Sequence, residues 1–218
     1  KIVGYDRANK EFDSFVGYLA DGYILIDLDN KNDKGEYDSN KAESKKLIEI
    51  LTNLGIKTPI IETPHGHHFY FKCSNKNLTS VSGVYSLIGL KVDYKLGSKY
   101  GCACMKALGE VRTIINDTGE VAELPVFLLN NKMLNNTLKE LEDIKASTGS
   151  RNSFISKYKY QLLKNGYDEL ITYQVLEIIN NYIFDEPLPM KELTTLMRQE
   201  HIEPSKDTSG TKEDSFLY

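Results

Sequence analysis

Three short segments of the chain alternate apolar and polar side chains with the period of a β-strand. The segments are residues 24–29 (ILIDLD), 67–72 (HHFYFK) and 90–96 (LKVDYKL). Because successive side chains of a strand point to opposite faces of a sheet, each segment has one mainly apolar face and one polar face. The pattern predicts a sheet that buries one face in a core and gathers acidic, histidine and lysine side chains on the other.

The polar faces of these strands supply the candidate functional residues. They are Asp27 and Asp29 in the first strand, His68 and Lys72 in the second, and Asp93 and Lys95 in the third, while Tyr70 and Lys91 lie on the same faces. Alternation assigns His67 to the opposite face, toward Phe69, Phe71 and the core. A register shift of one residue would exchange the assignments of His67 and His68.

The acidic residues of these strands are spaced for binding a divalent cation. Two carboxylates two residues apart on a strand have Cβ atoms about 6 to 7 Å apart, so Asp27 and Asp29 can reach one hard cation. Asp93 from a neighbouring strand is expected to complete the shell, since carboxylates held together without a cation would raise one another's pKa values. Oxygen ligands favour Mg²⁺ or Mn²⁺ over zinc. The sequence thus predicts a two-metal site for phosphoryl displacement, with His68, Lys72 and Lys95 suited to a triphosphate.

The remaining patterns predict an α+β fold. Apolar residues at helical spacing predict a helix at residues 41–54, with Ser39 or Asn40 as its N-cap and Gly55 as its stop. Further strands are predicted at residues 58–62, 101–106 and 111–115, and further helices at residues 151–164, 169–184 and 190–200. Strands therefore dominate the first two thirds of the chain and helices the last third.

Charge and hydropathy narrow the class of protein. A formal net charge of -4 argues against a surface that contacts nucleic acid everywhere, although a local basic groove remains compatible with it. The longest apolar runs, at residues 23–26 and 126–129, are far shorter than the roughly 20 residues of a membrane helix. An odd number of cysteines and no secretory segment favour a reducing cytoplasm. Because the chain begins with Lys1 where an initiator Met is usual, we expect a fragment or a trimmed chain, with further domains expected at both ends.

Taken in order, the motifs ILIDLD, TPHGHHFYF and LKVDYK resemble motifs I, II and III of the archaeo-eukaryotic primase superfamily. The likeness is to its primase-polymerase branch, common on phages, plasmids and other mobile elements. It covers roughly residues 20–130 and includes LPVFLL at residues 124–129, similar to the Leu-Pro segment that closes such domains. The resemblance implies that Asp27, Asp29 and Asp93 bind the catalytic metals and that His68 contacts the incoming nucleotide.

The resemblance implies a DNA primase-polymerase that works in the bacterial cytoplasm. Such an enzyme uses Mg²⁺ or Mn²⁺ and nucleoside triphosphates to make primers and extend them on single-stranded DNA, in the replication of a phage or mobile element. A helicase domain or subunit is a further expected partner. The implied architecture is a mixed or antiparallel catalytic sheet domain at residues 1–145, a small all-α domain at residues 150–202 and a linker or disordered tail at residues 203–218.

The helical part has its own counterpart in these primases. Residues 150–166 and 179–193 resemble the small domain that follows the catalytic domain, with an Arg-Asn opening and a Pro-Leu break before the last helix. In relatives this domain assists initiation. The alternative is a plain helical cap that stabilises the main domain.

A rolling-circle DNA nickase is a rival interpretation. Such enzymes use a His-x-His metal pair and a helical Tyr-x-x-x-Lys, and this chain contains His65-Gly66-His67 and Tyr160 followed by Lys164. However, Gly66 indicates a turn where a packed strand residue is usual, and the nickase leaves Asp29 and Asp93 without a role.

Two further alternatives concern zinc and a binding-only module. Cys73, Cys102 and Cys104 could in principle join a histidine, but a Cys-x-Cys on one strand lacks the knuckle of a zinc motif. Free buried thiols are therefore expected. A module that binds template or origin without catalysis would have no use for an intact acid triad.

Overall fold

A six-stranded antiparallel sheet forms the centre of the protein in a computed structural model, which describes residues 3–30, 36–74, 78–144 and 149–198. Its strands, in spatial order, are β5 (Val81–Tyr85), β6 (Lys91–Leu96), β2 (Tyr23–Asp29), β4 (Gly66–Lys72), β3 (Ile60–Glu62) and β9 (Ile114–Asn116). The three strands that carry the motifs, β6, β2 and β4, are therefore direct neighbours. This order brings together side chains that lie far apart in the sequence.

A second, three-stranded sheet consists of β1 (Phe15–Tyr18), β7 (Cys102–Ala107) and β8 (Glu110–Val111). The chain enters the large sheet from β1 to β2, leaves it from β6 to β7 and returns from β8 to β9 at the far edge. Gly97 lies where two of these connections meet, and a Cβ there would stand 1.8 Å from the carbonyl oxygen of Ala20. Only glycine permits so close an approach of the two backbones.

Six α-helices accompany the sheets. They are α1 (Tyr5–Glu11), α2 (Ala42–Asn53), α3 (Asn135–Ile144), α4 (Arg151–Lys164), α5 (Glu169–Ile178) and α6 (Met190–Arg198). Apolar residues of α2 to α6 belong to one buried cluster with the inner residues of the large sheet, such as Ile26, Phe69 and Val92. The hydroxyl of Tyr158 in α4 also donates to the carbonyl of Leu87, at 2.9 Å. The C-terminal helices thus complete the core of the large sheet.

The predicted α+β class is confirmed, and so is the alternation of the motif strands. Ile24, Ile26 and Leu28 belong to the buried cluster, whereas Leu25 does not, although it is fully buried. Leu25 lies on the same face as Asp27, so this face of the sheet is shielded from solvent at Leu25. Among the described residues, no helix combines the length and apolar character needed to cross a bilayer.

The start of α2 corrects one prediction. Neither Ser39 nor Asn40 is the N-cap, which is Lys41 with φ 54°. The carboxylate of Asp38 instead accepts hydrogen bonds from the backbone N–H groups of Asn40 and Ala42, at 2.9 and 3.1 Å. An aspartate has two oxygens and can satisfy two such donors at once.

Other predicted boundaries are met to different degrees. Gly55 follows the end of α2 with φ 66°, as expected of a helix stop. The helix predicted at residues 169–184 is α-helical only to Ile178, where α5 ends. Ile179–Ile183 continue it as a π-helical turn. Buried Asn180 bonds both the N–H and the carbonyl of Leu188 and so fixes the chain that follows this turn. The tail predicted at residues 203–218 lies outside the described residues.

Candidate functional site

Three predicted site residues form a row across adjacent strands. In the register of the sheet, Asp27 of β2 lies directly opposite Asp93 of β6 on one side and His68 of β4 on the other. Ile61 of β3 continues the row beyond His68. Residues directly opposite in an antiparallel pair have Cβ atoms about 4.5–5.5 Å apart. We call Asp93, Asp27 and His68 the acid–histidine row.

Asp27 is the centre of this row and has two cationic or potentially cationic neighbours. The ammonium of Lys95 donates to its Oδ2 at 2.7 Å, and Nε2 of His68 lies 3.4 Å from its Oδ1. Its side chain is 13% exposed and that of His68 is 8% exposed. Burial alone would raise the pKa of Asp27, but His68 and Lys95 outweigh it and hold the pKa below its usual range. Asp27 is therefore ionised at neutral pH and attracts cations.

Several buried polar atoms around Asp27 have no hydrogen-bond partner in the described part of the chain. They are Oδ1 of Asp27, Nδ1 of His68 and the hydroxyl oxygen of Tyr70. Tyr70 follows His68 on the same face of β4, with ring centroids 6.4 Å apart. A buried polar group without a hydrogen bond costs about 1–3 kcal/mol, and its persistence calls for an explanation such as a bound ion or ligand.

The other two acids lie on the same face with different neighbours. Oδ1 of Asp93 accepts a hydrogen bond from the backbone N–H of Gly83 at 2.7 Å, at an irregularity in the pairing of β5 with β6. Asp29 ends β2 opposite Gly66. A Cβ on Gly66 would lie 1.8 Å from the carbonyl oxygen of Leu28, so glycine is required there. The turn predicted at Gly66 is wrong, because Gly66 is the first residue of β4 and the chain bends at Pro64 and His65 instead.

The acids fit a magnesium or manganese ion by chemistry, although their oxygens do not converge on one point. No group of three or more His, Cys, Asp and Glu side chains is arranged around a common centre in residues 3–30, 36–74, 78–144 and 149–198. Yet Asp27 and Asp93 are like charges placed directly opposite each other, an arrangement that is unfavourable without a cation. Oδ1 of Asp27 accepts no hydrogen bond from the described residues, and its ion contact is with Nε2 of His68 at 3.4 Å. Asp27 and Asp93, with Asp29 at the strand end, are the residues that could hold the ion.

The two lysines predicted to bind nucleotide have different positions. Lys95 belongs with the row through its bond to Asp27, whereas Lys72 is exposed and ends β4 four residues beyond His68. At about 3.4 Å per residue, its Cα lies some 13 Å from that of His68. Lys72 lines a separate cavity of about 880 Å³ beside the end of α2, together with Lys57, Glu123 and Gln174. The structure thus brings Lys95 to the acids and leaves Lys72 apart from them.

His67 lies on the opposite, helix-covered face, as alternation predicts. Its Nδ1 is 2.7 Å from the hydroxyl of Ser44 in α2, and that hydroxyl also accepts from the amide of Asn30 at 3.0 Å. Burial, with the positive charge of Lys41, lowers the pKa of His67. The register that places His68 rather than His67 beside Asp27 is therefore confirmed.

The residues of the nickase interpretation have separate surroundings. The ring of His65 stacks on that of Tyr37 with centroids 3.5 Å apart, whereas His67 is buried against Ser44. Tyr160 lies in α4, where the ammonium of Lys164 is 5.7 Å from its ring centroid.

Cys73, Cys102 and Cys104 are partly buried and are not joined in disulfides. Cys102 and Cys104 lie on β7, and Cys73 follows β4. Sγ of Cys104 is 3.9 Å from Nη2 of Arg112. The thiols therefore belong to different parts of the two sheets.

Two features of the site were not assigned from the sequence. Tyr70 was placed on the polar face, but its buried hydroxyl beside His68 has no sequence signal, because depth on a face depends on what covers it. The contact from Gly83 to Asp93 depends on a pairing irregularity that the sequence does not reveal.

The likeness to primase-polymerases rests on the three strand motifs. Comparison of the chain with protein-family models, with curated proteins and with solved structures finds no match.

Proposed function

We propose that this protein is a DNA primase-polymerase, a metal-dependent nucleotidyltransferase that makes primers and extends them on single-stranded DNA. The supporting observation is the acid–histidine row, in which two carboxylates and a histidine from three strands meet side by side. Oδ1 of Asp27 and Nδ1 of His68 are buried there without hydrogen-bond partners among the described residues. A cation would satisfy the carboxylate oxygen of Asp27, and a phosphate oxygen would accept a hydrogen bond from Nδ1 of His68 where that nitrogen carries a proton.

Each residue of the row has a role in this proposal. Asp27 and Asp93, on the adjacent strands β2 and β6, would hold Mg²⁺ or Mn²⁺, and Asp29 would add a carboxylate from the end of β2. His68 donates a hydrogen bond to the triphosphate, and Lys95 supplies positive charge on the same side. When bound, two such ions lower the pKa of the attacking primer hydroxyl and stabilise the leaving phosphate oxygen. The residues themselves orient the nucleotide and neutralise its charge.

In this proposal the two parts of the chain have separate tasks. Residues 1–145 form the catalytic fold of the primase-polymerase type, with nucleoside triphosphates and single-stranded template on the face of the row. The described helices of residues 150–198 support the opposite face of the sheet, since their buried side chains join its core. A helicase domain or subunit is the expected partner in replication of a phage or mobile element.

A primer-synthesis assay tests the proposal directly. The protein is incubated with unprimed circular single-stranded DNA, mixed ribo- and deoxyribonucleoside triphosphates and either Mg²⁺ or Mn²⁺, and products are separated by size. We expect metal-dependent products from the wild type and none from folded Asp27→Asn. Absence of products with both metals and all nucleotides, from protein that is folded and binds single-stranded DNA, would instead identify a binding module.

A further inference from the structure

Lys91 and Lys95 flank Asp93 on the same face of β6, yet only one of them contacts Asp27. Alternation places both lysines two residues from Asp93. Lys95 is paired with Leu25, which lies two residues before Asp27 in β2. The ammonium of Lys95 reaches Oδ2 of Asp27 at 2.7 Å. Lys91 is paired with Tyr85 of β5 and is exposed. The sequence offers two equivalent lysines, and the sheet makes one of them the counter-ion of Asp27.

The ion pair between Lys95 and Asp27 occupies Oδ2, the oxygen that a metal ion bound by both carboxylate oxygens would share with Oδ1. Two cations at one carboxylate oxygen repel each other, and the carboxylate of Asp27 is largely buried, where water screens charge poorly. A divalent ion that uses both oxygens of Asp27 must therefore displace the ammonium. Lys95 can leave without moving the backbone, because its side chain is 34% exposed and its four-carbon stem is flexible.

We propose that Lys95 is an exchangeable counter-ion. It neutralises Asp27 while the metal is absent, and it turns to a phosphate of the nucleotide when Asp27 binds the metal. This inference rests on the proposed function and adds a coupling to it. Because the released ammonium gains a partner only when nucleotide is present, metal and nucleotide each favour binding of the other, as thermodynamic linkage requires.

The experiment compares Lys95→Gln with Lys91→Gln, two identical changes on the same face of the same strand. Mn²⁺ binding to the nucleotide-free protein is measured from the electron paramagnetic resonance signal of free Mn²⁺. Removing the competing ammonium should tighten Mn²⁺ binding of Lys95→Gln by about three- to tenfold, the scale of a partly exposed ion pair. Lys91→Gln should bind like the wild type. Lys95→Arg keeps the charge and should also stay close to the wild type.

Nucleotide binding should change in the opposite direction. The KM for nucleotide should rise about tenfold in Lys95→Gln, because the phosphate loses a charged donor. An unchanged or weaker Mn²⁺ affinity of folded Lys95→Gln, with Mn²⁺ binding and primer synthesis intact in the wild type, would overturn the exchange and leave the proposed function standing. A wild type that binds no Mn²⁺ would overturn both.

Discussion

The two faces of the large sheet differ in the hydrogen bonding of their buried polar side chains. On the helix-covered face, His67 is paired with Ser44, and the hydroxyl of Tyr94 donates to the carbonyl of Leu128. On the face of the acid–histidine row, Nδ1 of His68 and the hydroxyl of Tyr70 have no partner in the described residues. The contrast is sharpest between His67 and His68, which are consecutive in one strand.

This difference separates groups that stabilise the fold from groups that are open to a ligand. A satisfied buried hydrogen bond contributes about 1 kcal/mol to stability, whereas an unmade one costs about 1–3 kcal/mol. Such a cost can be offset where a ligand makes the bond instead. Matched changes on the two faces should therefore affect different measurable properties.

The largest expected difference is between substitutions of Asp27 and of Asn30, which lies three residues further along the chain. Asp27→Asn should abolish nucleotide incorporation, because a neutral amide is a poor ligand for a hard cation. Asn30 is buried and bonds Ser44 twice and the carbonyl of His65, so Asn30→Ala should lower the free energy of unfolding by about 3 kcal/mol. Primer extension and urea unfolding measure the two effects. Near-normal extension by Asp27→Asn would remove that residue from the metal site.

The consecutive histidines provide the second test. His68→Ala should weaken nucleotide use about ten- to a hundredfold, the loss of one charge-assisted hydrogen bond of roughly 1.5 to 3 kcal/mol. His67→Ala should leave the KM for nucleotide unchanged and lower the melting temperature, since it opens a cavity and leaves Ser44 with one partner fewer. Steady-state kinetics and thermal unfolding of both variants decide the matter. A raised KM for His67→Ala with unchanged kinetics of His68→Ala would contradict the assignment of the faces.

Tyr94 and Tyr70, one on each face, should differ by a smaller amount in their contributions to the free energy of unfolding. Tyr94→Phe should lower the free energy of unfolding by about 1–3 kcal/mol, because the carbonyl of Leu128 loses its donor in a buried position. Tyr70→Phe removes a hydroxyl that has no partner among the described residues and should leave stability unchanged or slightly higher. Chemical denaturation of the two variants measures the difference. Equal destabilisation would mean that the hydroxyl of Tyr70 has a structural partner.

Much of this contrast could be predicted from strand alternation. The apolar period of two placed Ile26 and Phe69 in the core, and it separated His67 from His68 correctly. The helices with strong apolar spacing were also predicted, with the bounds of α4 met to the residue. These features depend on local periodicity, which a single sequence contains.

The remaining features depend on contacts between distant segments. Alternation did not reveal that Asp27 would stand directly opposite both Asp93 and His68, because strand order and register are set by tertiary pairing. For the same reason it treated Lys72 and Lys95 alike. The strands β1 and β5 were not predicted, since their short sequences include exposed residues and irregular pairing.

The smallest expected effect is a difference in the pH dependence of stability that originates on the helix-covered face. Burial and the charge of Lys41 lower the pKa of His67, while Glu62 opposes this shift. Below the usual pKa of about 6.5, the unfolded chain therefore binds a proton at this position more readily than the folded protein does. By linkage, His67 makes the free energy of unfolding decrease as pH falls from about 6.5 toward the lowered pKa, by at most about 1.4 kcal/mol per pH unit.

His67→Gln isolates this contribution, because glutamine cannot titrate and the other histidines are present in both proteins. Urea unfolding at intervals from pH 7.5 to pH 5 should show the wild type losing stability more steeply than the variant. His68→Gln is the matched control on the other face. Because it retains His67, its free energy of unfolding should still decrease more steeply with falling pH than that of His67→Gln. Parallel pH profiles for wild type and His67→Gln would mean that His67 is protonated as easily in the folded protein as in the unfolded chain. The covered face would then be open to protons, and the contrast between the two faces would be smaller than the buried contact with Ser44 implies.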